Sequence, residues 1–164
     1  MKAILIGFMG SGKTTVGKLL AAHLTLPHVD LDKKIVEYTG KEIKEIFSQY
    51  GEKKFRELEQ KTLVEQLDKK GVLSTGGGTP ISEQNLKILQ AVKTPVILLE
   101  TSLNTVLKRV AQSQDRPIIN QLSRNELLEL YNQRAPFYQR CADLRVTTDN
   151  RSPLEIVEWI KNNL

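Results

Sequence analysis

The chain has a single cysteine, Cys141, so no intrachain disulfide can form. Because disulfides belong to oxidising compartments, this favours a reducing one. The two histidines, His23 and His28, are too few for a metal site, and neither completes a nucleophile–base signature with Cys141. No apolar run exceeds the length of Ala3–Ile6, whereas a membrane-spanning helix needs about 20 residues. We therefore expect a cytoplasmic protein with no membrane partner; nothing near residue 1 resembles a signal peptide.

Aromatic residues are also scarce, at 5% of the chain, and the net charge is only +5. Nucleic-acid binders more often carry a basic stripe or aromatics interleaved with arginine. Here lysines and glutamates are mixed throughout residues 41–70. The small excess of positive charge fits small anionic ligands, and we expect no nucleic-acid partner.

What the chain does contain is enough apolar sequence for one folded domain. The 164 residues fall within the usual size of one domain, and 40% of them are apolar. Short apolar segments alternate with amphipathic ones, which predicts a parallel sheet covered by helices on both faces. The predicted strands are 2–6, 28–31, 71–75, 95–100 and 144–147. The predicted helices are 14–23, a short one ending near Gly51, 52–70, 82–92, 102–112, 124–140 with a bend near Pro136, and 153–162, with a loop at 113–123.

The segment GFMGSGKT, residues 7–14, matches the phosphate-loop pattern G-x-x-x-x-G-K-[ST] without a mismatch. It follows a predicted strand and opens a predicted helix, so its backbone N–H groups and the helix dipole would face an anion. Lys13 is expected to reach the β- and γ-phosphates, and the Thr14 hydroxyl to bind Mg²⁺. The alternative is a glycine turn that only packs strand against helix. The motif predicts nucleotide binding, and a compact chain without the guanine-reading N-K-x-D suits a small-metabolite kinase.

Asp30 and Asp32 lie where the second predicted strand ends, near the phosphate loop in a parallel fold. On an extended segment, residues two apart project to one side. One carboxylate would help to hold hydrated Mg²⁺, and the other would bind an acceptor hydroxyl and take its proton. The alternative is that one of them caps the helix beginning near Lys33.

Two arginines and a glycine triplet supply further candidates on the acceptor side. Arg56 and Arg134 would make a bidentate carboxylate clamp if they converge, and Glu59 is placed to orient Arg56 along its helix. A lone helical arginine is more often a solvated surface residue. The glycines at 76–78 end a predicted strand and allow backbone to approach a ligand closely, although a flexible turn is the alternative.

The polar segment 108–124 carries four basic residues against Asp115 alone. A loop of this kind above a phosphate site suits a closing lid, in which Arg116 would meet the transferring phosphoryl group. An ordinary solvated loop is the alternative.

Together these features resemble the shikimate kinase family, in family order and over nearly the whole chain. The matching segments are GSGKT at 10–14, DLD at 30–32, FRELE at 55–59, TGGG at 75–78, DRP at 115–117, RAPFY at 134–138 and NRSP at 150–153. The resemblance implies a nucleoside-monophosphate-kinase-like α/β/α fold with a five-stranded parallel sheet. It also implies a single domain with a substrate-binding subdomain at about 32–60 and a lid at about 109–124. It implies phosphorylation of the shikimate 3-hydroxyl by MgATP, a step toward chorismate and the aromatic amino acids, in a monomer.

The resemblance also assigns residues. Catalysis is assigned to Lys13, Asp32 and Arg116, with Asp32 the candidate base, and Mg²⁺ to Thr14 and Asp30. Shikimate is assigned to Asp32, Arg56, Gly77, Gly78 and Arg134. The nucleotide is assigned to Gly10, Ser11, Gly12, Lys13, Thr14, Thr15, Arg116 and, on the adenine side, Arg151.

Two other functions stay open from the residues alone. A kinase for another hydroxy acid such as gluconate would keep the phosphate loop but not the combination of Arg56, Arg134 and the glycine triplet. A nucleotide-binding regulator without turnover would have no need for Asp32 beside the two arginines.

Overall fold

The computed structural model describes residues 1–111 and 123–164, in which strands and helices alternate along the chain. The strands are β1 (Ala3–Ile6), β2 (His28–Asp30), β3 (Val72–Ser74), β4 (Val96–Glu100) and β5 (Leu144–Thr147). The helices are α1 (Lys13–His23), α2 (Leu31–Thr39), α3 (Ile43–Leu67), α4 (Glu83–Ala91), α5 (Leu103–Ala111), α6 (Arg124–Cys141) and α7 (Pro153–Asn163), with a short 3₁₀ turn at Thr79–Ile81. Within the described residues, no helix is both long and apolar enough to cross a membrane.

The five strands form one parallel sheet in the order β2-β3-β1-β4-β5. The central strand β1 is fully buried, and its neighbours are β3 and β4. In a parallel sheet the carboxyl ends of the strands lie at one edge. The loops that follow β1 and β3 therefore lie side by side, which brings residues 7–12 next to residues 75–78.

Each face of the sheet has its own apolar core. Alternate residues of β1 point to opposite faces, so Ile4 and Ile6 pack with α3, α4 and α6, whereas Ala3 and Leu5 pack with α1 and α7. A third, smaller cluster joins α2 to α3 through Ile35, Ile46 and Phe55. The predicted α/β/α architecture with a five-stranded parallel sheet is confirmed.

Helix α3 is two helices separated at Gly51, whose φ of 77° is left-handed. Glycine adopts that conformation without the steric penalty of a side chain, so the chain changes direction there. The predicted break near Gly51 is confirmed. The predicted loop at 113–123 lies almost wholly outside the described residues, apart from Ser123, which caps α6.

One local expectation was wrong. Asp30 and Asp32 do not share an extended segment, because α2 begins at Leu31 and places Asp32 in its first turn. The side chain of Asp30 accepts a hydrogen bond from the Lys33 backbone N–H, so the capping interpretation is confirmed for Asp30.

Candidate active site

The loop after β1 contains three glycines with positive φ, and one of them leaves no room for a side chain. Gly7, Gly10 and Gly12 have φ values of 142°, 78° and 96°. A Cβ on Gly7 would lie 2.7 Å from the Leu99 carbonyl oxygen, so only glycine fits against β4. These conformations let the loop curl in front of α1, as a phosphate-binding loop requires.

The Lys13 side chain is 9% exposed and runs back along this loop. Its ammonium donates hydrogen bonds to the carbonyl oxygens of Gly7, at 2.8 Å, and of Phe8, at 3.0 Å. Lys13 therefore holds a positive charge inside the curl of the loop, in front of the N-terminus of α1. Ser11 is buried beside it, and its hydroxyl has no hydrogen-bond partner among residues 1–111 and 123–164.

Thr14 and Asp30 join α1 to the end of β2. The Thr14 hydroxyl donates to one Asp30 carboxylate oxygen at 3.0 Å, while the other caps α2 at 3.3 Å. Asp30 is therefore both a helix cap and the carboxylate that faces the phosphate loop. A hydroxyl and a carboxylate are oxygen ligands of the kind that Mg²⁺ prefers.

Asp32 lies beside the glycine turn that follows β3. A Cβ on Gly76 would lie 2.7 Å from one Asp32 carboxylate oxygen, so the carboxylate packs directly on that backbone. Burial, together with the charges of Asp30 and Glu59, raises the Asp32 pKa to about 6, although Lys13 and Arg56 act in the opposite direction. A carboxylate with a pKa near neutrality is suited to accept a proton.

Arg56 reaches the same turn from α3. Its guanidinium donates to the Gly78 carbonyl oxygen at 3.2 Å and to Glu59 at 2.8 Å, and it also pairs with Glu52 at 3.2 Å. A Cβ on Gly78 would lie 2.8 Å from the guanidinium. Burial alone would lower the Arg56 pKa, but Glu59 and Glu52 raise it, so the cation is retained.

Arg134 approaches the turn from α6. Its guanidinium carbon lies 5.8 Å from the centre of the Phe8 ring, and one terminal nitrogen would lie 3.6 Å from a Cβ on Gly77. Its buried Nε has no hydrogen-bond partner among the described residues. Three side chains from three helices (Asp32, Arg56 and Arg134) therefore surround one glycine turn beside the phosphate loop.

The remaining predicted residues are exposed or lie outside the described residues. Thr15 is exposed on α1, and Arg151 is exposed just beyond β5, two strands from β1. Arg116, and with it most of the predicted lid at 109–124, lies outside the described residues. The ends of that predicted segment belong to α5 and to the cap and first turn of α6.

Arg109 was missed as a site residue by the sequence reasoning. From the last turn of α5 it donates to the Gly10 carbonyl oxygen at 3.1 Å and to the Thr148 carbonyl oxygen at 3.1 Å. It therefore ties the phosphate loop to the end of β5. The sequence signal was only the basic pair Lys108 and Arg109, which is also common in the last turn of an ordinary helix.

Thr79 and Asn85 were also missed, and both contact Glu59, the partner of Arg56. Glu59 is 1% exposed and accepts hydrogen bonds from Thr79 at 2.8 Å and from Asn85 at 3.2 Å. The sequence indicated that Glu59 orients Arg56, and the structure confirms it. Thr79 and Asn85 had no recognisable pattern, because their contact with Glu59 spans 20 and 26 residues.

Comparison with known proteins shows the family to which the chain belongs. The family model for shikimate kinase matches residues 9–164. A shikimate kinase from Limosilactobacillus fermentum is 43% identical over 98% of this chain and 93% of its own length. One from Sulfurihydrogenibium is 44% identical over 95% of this chain and 93% of its own. The solved structure of Acinetobacter baumannii shikimate kinase in complex with shikimate has a TM-score of 0.89 and 32% identity, covering 98% and 90% of the two chains.

Proposed function

Because this chain belongs to the shikimate kinase family and is a small-molecule kinase that phosphorylates shikimate with ATP, we propose how its own residues divide that work. The observation that carries the proposal is the glycine turn at 76–78. Asp32 packs on Gly76, Arg134 on Gly77 and Arg56 on Gly78. One acidic and two basic side chains thus flank a backbone that has no side chains of its own, beside a phosphate loop.

The acceptor binds at this turn. Shikimate carries a carboxylate and hydroxyls, and guanidinium groups bind carboxylates in a bidentate fashion. Arg56 and Arg134 hold the carboxylate, and the backbone of Gly77 and Gly78 contacts the ring closely. Asp32 then binds the 3-hydroxyl that attacks the phosphoryl group.

Asp32 positions this hydroxyl and accepts its proton. Its raised pKa gives it enough basicity to take a proton while it is still ionised at neutral pH. In a loose phosphoryl-transfer transition state little proton abstraction is needed early. Alignment of the attacking oxygen therefore contributes more to the rate than removal of its proton does.

The nucleotide binds over the N-terminus of α1. The backbone of Gly10, Ser11 and Gly12, with Thr15, holds the phosphates, and the Lys13 ammonium moves from the loop carbonyls to the β- and γ-phosphates. Arg116 stabilises the transferring phosphoryl group, and Arg151 contacts the adenine side.

Mg²⁺ fits the pair formed by Thr14 and Asp30. Because the Thr14 hydroxyl donates its hydrogen bond to Asp30, lone pairs of its oxygen are left for a cation. Among the described residues no group of three or more acidic, histidine or cysteine ligands could hold a metal. Kinase Mg²⁺ needs no such cage, because substrate phosphates and waters supply most of its ligands. The bound ion would neutralise charge that develops on the phosphates.

The larger-scale assignments extend this proposal. Residues 32–60 form the substrate-binding subdomain, which the separate α2–α3 cluster supports, and residues 109–124 form the lid. We propose that the protein is a monomer in the cytoplasm. Its product would be used in the synthesis of chorismate and the aromatic amino acids.

The test is a coupled assay of ADP release with MgATP and, in parallel, shikimate, gluconate or no acceptor. Release that requires shikimate, with the phosphate found on its 3-hydroxyl, is the expected result. Release with gluconate, or no release despite ATP binding, would contradict the acceptor assignment. Lys13→Ala should remove turnover without unfolding the protein, and Arg134→Ala should mainly raise the KM for shikimate if it supplies uniform binding.

A further inference from the structure

Tyr138 makes a contact with the glycine turn that the division of roles above does not use. It lies on α6 one helical turn after Arg134 and is 4% exposed. Its hydroxyl donates a hydrogen bond to the Gly77 carbonyl oxygen at 2.6 Å. This bond joins residues 61 positions apart, so it links α6 directly to the turn after β3.

The direction of the Gly77 carbonyl fixes the direction of the next amide. The chain has no cis peptide bond among its described residues, so the Gly77 carbonyl and the Gly78 N–H point to opposite sides of one planar unit. A hydroxyl that holds the carbonyl toward α6 therefore turns the N–H away from α6. Within residues 1–111 and 123–164 the Gly78 N–H has no hydrogen-bond partner, which leaves it available to a ligand.

The same hydroxyl lies beside Arg134. The positive charge of Arg134 lies close enough to Tyr138 to lower its pKa, against the larger effect of burial, and the guanidinium also packs on Gly77. On its other side, Gly77 is close to the phosphate loop, since a Cβ there would lie 3.3 Å from the Met9 nitrogen. Rotation of the Gly77–Gly78 peptide would therefore first disturb Arg134, the cation assigned to the acceptor.

We propose that Tyr138 is a positioning residue for the acceptor: its hydroxyl fixes the Gly77–Gly78 peptide, on which the Arg134 guanidinium packs, in the orientation that binds shikimate. This inference rests on the proposed placement of shikimate at the turn. Tyr138 is not a catalytic residue, because its hydroxyl already donates its hydrogen bond to a backbone carbonyl oxygen. Burial also raises the Tyr138 pKa above its usual range, so the hydroxyl stays a donor at neutral pH.

The alternative is that Tyr138 only stabilises the fold, as a buried tyrosine with a satisfied hydroxyl commonly does. The chain offers a matched control on the same helix. Tyr131 donates its hydroxyl to the Thr101 carbonyl oxygen at 3.0 Å, which is a bond of the same type to a turn after a different strand. Tyr131→Phe and Tyr138→Phe each remove one such bond and keep the ring.

The experiment measures KM for shikimate, KM for ATP, kcat and the melting temperature for the wild type and both variants, with shikimate affinity measured separately by calorimetry. For Tyr138→Phe we expect the KM and the dissociation constant for shikimate to rise about 3- to 10-fold, as the loss of one buried hydrogen bond predicts. The KM for ATP should stay within twofold. Tyr131→Phe should lose a similar amount of stability and keep both KM values.

Two results would overturn the inference. Equal shikimate affinity in Tyr138→Phe and the wild type would show that the hydroxyl does not orient the turn, and the proposed function would survive. Equal losses of shikimate affinity in both variants would assign the effect to general destabilisation. If the wild type itself does not phosphorylate shikimate, the proposed function fails first and the inference fails with it.

Discussion

The guanidinium of Arg56 and the carboxylate of Glu59 lie 2.8 Å apart on one face of α3. Glu59 is 1% exposed, whereas Arg56 is 22% exposed and faces the glycine turn. Thr79 and Asn85 supply neutral hydrogen bonds to Glu59, so Arg56 is the cation that compensates its buried charge. One arginine therefore serves both the stability of the fold and the binding of the acceptor.

The first prediction follows from this pairing. Arg56→Met should lower the free energy of unfolding by about 3 kcal/mol, because it leaves a buried carboxylate without a cation. It should also raise the KM for shikimate by about 100-fold, as expected when a bidentate carboxylate contact is lost. Chemical denaturation and steady-state kinetics measure the two effects.

Glu52→Gln is the matched control for this prediction, since Glu52 also pairs with Arg56 but is 68% exposed. An exposed ion pair contributes little, so this variant should lose less than about 1 kcal/mol and keep its KM. If both variants show the same loss of stability and the same KM for shikimate, the buried carboxylate of Glu59 is not what holds Arg56.

The second prediction concerns Asp32 and stability. The Asp32 pKa is about 6 in the folded chain, against roughly 3.9 in an unfolded one. Between these two pH values the folded state binds more protons at Asp32 than the unfolded state does. The free energy of unfolding that Asp32 contributes therefore falls as the pH rises from about 4 to about 6. Asp32→Asn should therefore be more stable than the wild type by about 1 to 3 kcal/mol at pH 8, although its turnover falls by orders of magnitude.

Denaturation of both proteins at pH 4.5 and pH 8 measures this difference. The free energy of unfolding that the variant gains over the wild type should be larger at pH 8 than at pH 4.5, and it should change little above about pH 7. A variant that is less stable than the wild type at pH 8 would contradict the unfavourable environment assigned to Asp32.

The third prediction concerns the pH dependence of the reaction. Because the acceptor hydroxyl needs an ionised Asp32, kcat/KM for shikimate should fall about tenfold per pH unit below about pH 6. At saturating MgATP this acid limb of the pH profile reports an ionisation of the enzyme that occurs before shikimate binds. An acid limb that lies near pH 4 instead would mean that Asp32 is an ordinary solvated carboxylate.

The fourth prediction uses the close approach of Gly76 to Asp32. Gly76 has no positive φ, so alanine suits its backbone, but a Cβ there would lie 2.7 Å from the Asp32 carboxylate. Gly76→Ala should displace this flexible side chain and lower kcat about 100-fold, with little loss of stability, because misplacement of a reacting group by about 1 Å has an effect of that size.

Gly40→Ala is its control. Gly40 has a φ of 66° and open space around its Cβ position, so alanine there strains the backbone without touching the site. This variant should lose about 1 kcal/mol of stability and keep kcat. An unchanged kcat in Gly76→Ala would show that Asp32 can move without consequence.

Much of the fold was predictable from the sequence because its signals are local. Apolar runs and glycine breaks predicted all five strands, and the pattern at residues 7–14 predicted the phosphate loop. The Arg56–Glu59 pair was also accessible, since residues three apart on a helix are neighbours. The conformation at Asp30 and Asp32 was not, because a strand that ends one residue earlier changes the geometry of the pair.

What the sequence by itself determined is which chemical groups are present and, except for Asp32, the local element that carries each described one. Only the tertiary structure decided that Asp32, Arg134 and Arg56 pack on three consecutive glycines, that Arg109 ties Gly10 to Thr148, and that Tyr138 holds the Gly77 carbonyl. These contacts join residues far apart in the chain. They depend on the order of strands in the sheet and on the packing of helices against it, and no local pattern of residues encodes either.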